Sequence, residues 1–251
     1  MFLFKDIIVN SVMCMKGTKC LLSVLVFGIS TSAVAEEGVD KKVSLDFGAD
    51  VVSSYIWRGL DCGGFSAQPS ATITWNTPGI SLGVWASASL FDSSTFANMS
   101  EFDLSLSYSP TETLSIGLTD YHFCCGKYWG GWSFDKSSTH NLELNLSYDF
   151  GPMALAWNTC LTGADHKANG DRAYSSFIEA TAPFCIAGVN CEAAVGACPW
   201  GYHFSVEEGS KFYVMNISCK AEKEIKGIPF FGQVIVNPRA ESTYFVVGVS
   251  F

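Results

Sequence analysis

Asn141-Leu142-Glu143-Leu144-Asn145-Leu146-Ser147-Tyr148-Asp149-Phe150 alternates polar and apolar at every step. Successive side chains of a β-strand point to opposite faces, so this stretch has one greasy face and one wet face. Glu101-Phe102-Asp103-Leu104-Ser105-Leu106-Ser107-Tyr108 repeats the pattern. No convincing helical periodicity follows residue 42. Soluble strands usually run about 5–6 residues. A tilted strand that crosses a bilayer needs about 9–11, and these runs are of that length.

Working outward, twelve such segments can be drawn: 43–57, 66–76, 80–91, 99–109, 113–123, 138–150, 153–162, 173–184, 186–197, 211–222, 228–237 and 242–251. Tight connections carry turn chemistry, as in Asn76-Thr77-Pro78-Gly79, Pro110-Thr111-Glu112, Gly151-Pro152 and the neighbourhood of Pro183. Longer ones, 58–65, 92–98, 124–137, 163–172 and 198–210, fall between them. Alternation of short and long connections is the habit of an outer-membrane barrel, with tight periplasmic turns and long external loops. It weakens at 223–227 and 238–241, both short. The expected fold is all-β: a closed antiparallel transmembrane β-barrel of about 12 strands. The even count puts both ends of the barrel on the periplasmic side. A secreted soluble β-sandwich is the competing architecture.

Composition agrees. The chain has 251 residues, 48% hydrophobic and only 16% charged, against roughly 25% charged in an average soluble domain. With 23 Gly and 19 Phe, that argues against a disordered chain or a coiled coil. A formal charge of -9 argues against nucleic acid, because an acidic chain repels phosphates. Residues 1–35 read as a secretory leader. Lys16 and Lys19 precede an apolar run from Cys20 to Ile29, and Ala33-Val34-Ala35 offers a cleavage site before Glu36. Met15 sits where a leader of ordinary length would begin. Residues 36–251 are then one barrel domain, exported to the outer membrane of a Gram-negative-type bacterium. No later run approaches the ~18–20 apolar residues of a membrane helix.

The alternation sorts side chains by face. In the first segment Val43, Leu45, Phe47, Ala49, Val51, Tyr55 and Trp57 share one side; Ser44, Asp46, Gly48, Asp50, Ser54 and Arg58 share the other. Aromatics gather near segment ends: Tyr55, Trp57, Trp75, Tyr108, Tyr148, Phe150 and Phe251. Tyr and Trp favour the membrane–water boundary. The inward parity carries nine acids, Asp46, Asp50, Glu101, Asp103, Glu143, Asp149, Glu179, Glu192 and Glu222, against the bases Arg58 and Lys220. On the lipid face an Arg or Lys at the midplane would cost ~2–4 kcal/mol, so the charges belong inside or at the rims. Asp46, Asp50, Arg58, Glu101, Asp103, Glu143, Glu179, Glu192 and Lys220 are the expected channel-lining residues. Carboxylates around a bore favour cations; the same groups would equally solvate the interior or pair locally. Arg58, at the rim of the first strand, is expected to pair with a lumen or loop carboxylate or to stand exposed. Inward aromatics such as Trp85, Phe123, Phe212 and Phe231 could stack on a ligand ring or plug the bore.

One stretch resembles a known family. Ser53-Ser54-Tyr55-Ile56-Trp57-Arg58-Gly59, followed by Gln68-Pro69 and Gly83-Val84-Trp85-Ala86-Ser87, resembles the opening of the TorF-type family of outer-membrane porins. The match covers about the first quarter of the mature chain. Beyond it, the agreement lies in the alternation and a terminal aromatic preceded by Val249, Val247 and Phe245 at every second position. That ending resembles the assembly signal of bacterial outer-membrane barrels. The resemblance implies a barrel with a channel role and no assigned substrate. Eight mature cysteines are unusual for such a protein.

Those cysteines are Cys62, Cys124, Cys125, Cys160, Cys185, Cys191, Cys198 and Cys219. An exported chain permits disulfides. However, Cys185, in a periplasmic turn, cannot reach Cys62, Cys124, Cys125 or Cys198 in or beside external loops, because bridged Cα atoms lie within ~7 Å. Cys191 and Cys219, on neighbouring strands with the same outward parity, could pair, but the strand cysteines read best as small apolar residues facing lipid. His122, Cys124, Cys125 and His140 make a weak metal set with no C-x-x-C pair. Gly79-Ile80-Ser81-Leu82-Gly83 has the nucleophile-elbow spacing but opens a strand, where that motif needs a turn into a helix. His203-Phe204-Ser205 is the one His-x-Ser, in an expected loop. No catalytic residue, metal or cofactor is assigned. The expected function is a passive porin-like channel for small cationic or neutral solutes, with membrane lipid outside and the barrel-assembly machinery engaging the strand that ends at Phe251. A plugged barrel that binds at the surface or works as an outer-membrane enzyme is the alternative.

Overall fold

The computed structural model describes residues 42–91, 99–125, 139–201 and 212–251. The expected leader, residues 1–35, and His203-Phe204-Ser205 lie outside the described residues. The strands are β1 (Val43–Val52), β2 (Tyr55–Trp57), β3 (Leu60–Gly63), β4 (Ser66–Trp75), β5 (Ile80–Ser89), β6 (Met99–Tyr108) and β7 (Leu114–Cys125). They continue with β8 (His140–Asp149), β9 (Ala154–Cys160), β10 (Ser176–Ile186), β11 (Val189–Trp200), β12 (Tyr213–Ile225), β13 (Ile228–Asn237) and β14 (Ser242–Ser250). Twelve of them, β1 and β4 to β14, close a barrel of sequential antiparallel neighbours, and β2 and β3 pair only with each other. This is one closed sheet, not the two packed sheets of a sandwich.

The alternation works as anticipated along the wall. Leu144, Leu146 and Tyr148 on β8 point outward and are exposed, while Glu143 and Ser147, of the opposite parity, are buried inside. On β14, Phe245 is 73% and Val247 63% exposed, whereas Val246 is buried within. The interior next to β8 is a polar ladder. Thr119 Oγ1 donates to Asn145 Oδ1 at 2.8 Å, and Asn145 Nδ2 donates to Asn158 Oδ1 at 2.9 Å. Buried polar groups that satisfy one another avoid the cost of an unmade hydrogen bond.

Strand ends are set by turn chemistry. β10 and β11 meet at Ala187–Gly188, and β12 and β13 at Lys226–Gly227, with all four residues at positive φ. This matches the two-residue turn whose twist suits a hairpin. The turn expected around Pro183 is therefore displaced: Pro183 sits within β10 opposite Glu192, and Cys185 is in the strand opposite Asn190. Trp75, Tyr108, Tyr148 and Phe150 cluster at the end where β14 finishes.

The largest departure is at the first strand. β1 stops at Val52, not at residue 57, and the chain turns into the bore. The expected external loop 58–65 and the expected outward aromatics Tyr55 and Trp57 belong to the inward hairpin β2–β3. As a result the closing seam is short. Asp50, Val51 and Val52 face Ser250, Val249 and Gly248, while β1 pairs with β4 along its whole length from Val43–Trp75 to Val52–Ser66. Ala49 and Phe251 exchange both backbone hydrogen bonds, at 3.1 and 2.9 Å. Val247 N donates to Ser53 Oγ at 3.0 Å.

Candidate functional site in the bore

The tip of the hairpin is set by a local turn. Arg58 and Gly59 form its two-residue tip, at φ 51° and 76°. A side chain at Gly59 would collide with the backbone of β12, since a Cβ there would lie 2.1 Å from the Met215 carbonyl oxygen. Asn237 Nδ2 donates to the Gly59 carbonyl at 2.9 Å. Only glycine combines that backbone with that approach.

Arg58 is carried to the opposite wall. Its Nη1 and Nη2 donate to Glu143 Oε2 and Oε1 at 2.7 and 2.8 Å. Its guanidinium lies over the rings of Trp57 and Phe177, at 4.4 and 4.7 Å. Tyr121 Oη and Asn145 Nδ2 also donate to Glu143 Oε1, at 3.1 and 2.9 Å. A planar guanidinium matched two-to-two with a carboxylate is the strongest ordinary side-chain pair. The rest of the hairpin is fastened similarly. Tyr55 Oη donates to Glu101 Oε2 at 2.7 Å, Tyr55 stands 5.5 Å from Trp85 and Trp57 5.4 Å from Tyr121 by ring centroids. Trp57 and Leu60 pack on Cys160, Phe177, Cys198 and Met215; Ile56 packs on Val52, Phe231, Ile235 and Val246.

Beside the hairpin lies a cavity of about 250 Å³. Asp50, Arg58, Asp103, Glu179, Glu192 and Lys220 line it, with Tyr55, Trp57, Trp85, Tyr121 and Phe231. Asn216 Nδ2 donates to Glu179 Oε2 at 2.7 Å. Lys220 Nζ lies 3.4 Å from Glu222 Oε2 and 4.4 Å from the centre of the Phe231 ring.

The nine residues singled out by parity thus separate into three groups. Six border the cavity. Glu101 and Glu143 face inward but hold the hairpin. Asp46 lies nearer the start of β1, opposite Thr72 and away from the cavity. Of the inward aromatics, Trp85 and Phe231 border the cavity, while Phe212 is 64% exposed and lies before β12. Tyr121, Asn145 and Gly59 were not anticipated. The Arg58-Gly59 pair is a turn signal that could have revealed the tip.

The cysteines and histidines resolve differently. Cys62, Cys160, Cys185, Cys191, Cys198 and Cys219 are unbridged. Cys219 faces outward, as expected of a strand cysteine, but Cys160 and Cys198 are buried within and Cys62 lies on the hairpin. His122 and His140 stand opposite each other and stack at 4.0 Å, with His140 Nδ1 2.8 Å from Asp120 Oδ2. Parallel rings do not converge on an ion, and among the described residues no group of three or more His, Cys, Asp or Glu is placed to hold a metal.

No family model matches the chain. No curated protein matches it. Among solved structures it is similar to porins of Rh. blastica. One mutant porin is 15% identical with a TM-score of 0.37, over 73% of this chain and 55% of that one. A second is 14% identical at 0.39, over 84% and 73%. A triple mutant of Rhodopseudomonas blastica porin is 11% identical at 0.36, over 83% and 99%. The chain spans little more than half the length of the first. These likenesses are distant, and the barrel stands on its own strand pairing.

Proposed function

We propose that this chain is an outer-membrane β-barrel that works as a narrow, porin-like passive channel for small cationic or neutral solutes, constricted by its own first loop. The observation that carries the reading is the placement of Asp50, Asp103, Glu179 and Glu192 around an internal cavity behind an apolar outer wall. Contiguous apolar surface beyond a few hundred Å² is rare on a soluble monomer; a hydrocarbon surround gives that wall its solvent. Carboxylates at a narrow passage favour cations through their field. In this reading the end where β14 finishes is periplasmic and β2–β3 belongs to the external side. Phe251 presents the closing strand to the assembly machinery. The Ser53–Gly59 resemblance to the TorF-type porins points the same way. The leader, residues 1–35, directs export.

Planar-bilayer recording of heat-modifiable, folded protein in a salt gradient tests it. Small discrete steps with a cation-selective reversal potential are expected. Anion selectivity would overturn the charge assignment. Silence from verified barrels would favour the second reading, a plugged barrel that binds ligands or acts at the surface. That reading draws on the hairpin's tight fastening by Arg58 and Glu143.

A further inference from the structure

We propose that the cavity beside the hairpin is a binding site for a protonated amine carried on a small flat or aliphatic body. This deepens the channel reading by naming the solute class, and rests on it only for how the solute arrives.

Three features converge. First, Asp103 is 1% exposed, lines the cavity, and its Oδ1 has no hydrogen-bond partner. A buried carboxylate oxygen left without a donor carries its full desolvation cost, and an ammonium group would supply both the charge and the hydrogens. Second, the charges around the space are unbalanced toward the negative. Asp50, Glu179 and Glu192 join Asp103 on the lining. Of the two lining bases, Arg58 is engaged bidentately by Glu143, and Lys220 sits between Glu222 and the Phe231 ring. An anion would meet this field unfavourably. Third, part of the wall is aromatic. Tyr55 with Trp85 and Trp57 with Tyr121 form two tilted ring pairs facing the space. Aromatic faces attract cations and also shelter an apolar body.

Size selects among cations. A cavity of about 150 Å³ can hold benzene, so one of about 250 Å³ accepts a ring bearing an aminomethyl group. A bare divalent metal fits poorly, because it needs six or more oxygens at about 2.0–2.6 Å. The carboxylates here are spread around rings instead.

The test is calorimetric titration of the folded mature barrel in detergent with benzylamine, against benzyl alcohol and benzoate as neutral and anionic matches. Saturable one-to-one binding of the amine is expected, with both controls weaker by about tenfold or more. Asp103→Asn should weaken the amine by about tenfold or more and leave the alcohol unchanged. Should Asp103→Asn fail to give a heat-modifiable barrel, Glu179→Gln is the deciding variant. Equal binding of amine and alcohol, no saturable amine binding, or unchanged amine affinity in the folded variants would overturn the site. Conductance of the same preparation separates the two proposals. Binding by an electrically silent barrel keeps the site and overturns the channel; conductance without amine binding does the reverse.

Discussion

The Arg58 guanidinium and the Glu143 carboxylate meet across the bore through two parallel hydrogen bonds of 2.7 and 2.8 Å, with their side chains 2% and 1% exposed. The pair joins the hairpin tip to β8, 85 residues later in the chain. Its removal by halves is costly, because a buried charge deprived of its partner typically destabilises by about 3–5 kcal/mol. Release of the hairpin into water relieves that penalty. Arg58→Ala should therefore free the hairpin rather than unfold the wall. Single-channel conductance should rise and limited proteolysis should cut between residues 53 and 65. Unchanged conductance with the hairpin still protected would show that the pair does not hold it.

Gly59 supplies an independent route to the same state. A Cβ there would meet the Met215 carbonyl oxygen at 2.1 Å, on a backbone at φ 76°. Gly59→Ala should displace the tip while leaving both charges in the sequence, and should raise conductance as Arg58→Ala does. If the two variants differ, the charge of Arg58 contributes to permeation directly.

Cys62 reports the hairpin's position. Burial first, and then the nearby Glu101 carboxylate, pushes its thiol up to about 12, so little thiolate exists at neutral pH. In a variant that keeps Cys62 alone among the cysteines, a water-soluble maleimide should react slowly. Adding Arg58→Ala should speed labelling by about tenfold or more, as the thiol returns toward its ordinary value near 8.5. Equal rates, followed by mass spectrometry, would place Cys62 in water from the start.

In the proposed channel, lumen charge sets selectivity. Asp103 and Glu179 border the cavity, and Glu179 accepts from Asn216. Replacing them together by Asn and Gln should move the reversal potential toward zero in a salt gradient while the hairpin stays closed. An unmoved potential would remove both from the ion path.

Closure depends on a few residues. The seam joins Asp50–Val52 to Gly248–Ser250, extended by the Ala49–Phe251 backbone pair. Deleting Ser250 and Phe251 should lower the heat-modifiable fraction sharply, measured by gel mobility after refolding. A full yield of folded barrel would show that the wall closes without them.

Much of this molecule was legible from strands such as Asn141–Phe150. Period-two alternation over ten residues fixes which side chains share a face, and strand length and turn spacing follow from local chemistry. The closed antiparallel barrel of twelve strands, and the inward parity of Glu143, Asp103 and Glu179, come from that rule alone. The Ser53–Gly59 stretch singled out Arg58-Gly59 without saying where it goes.

What tertiary structure decided was where the alternation stops meaning wall. Tyr55 and Trp57 keep the parity of β1, and nothing local distinguishes them from a strand continuing to the rim. They turn inward because Glu101, Glu143 and Asn237 stand on strands far along the chain, where they bond Tyr55, Arg58 and Gly59. Only closing the cylinder brings those groups within hydrogen-bond range of the hairpin. The sequence by itself therefore determined a tube with a wet inside. Contacts between residues separated by scores of positions determined that part of the inside is filled, and which carboxylates are left facing the remaining space.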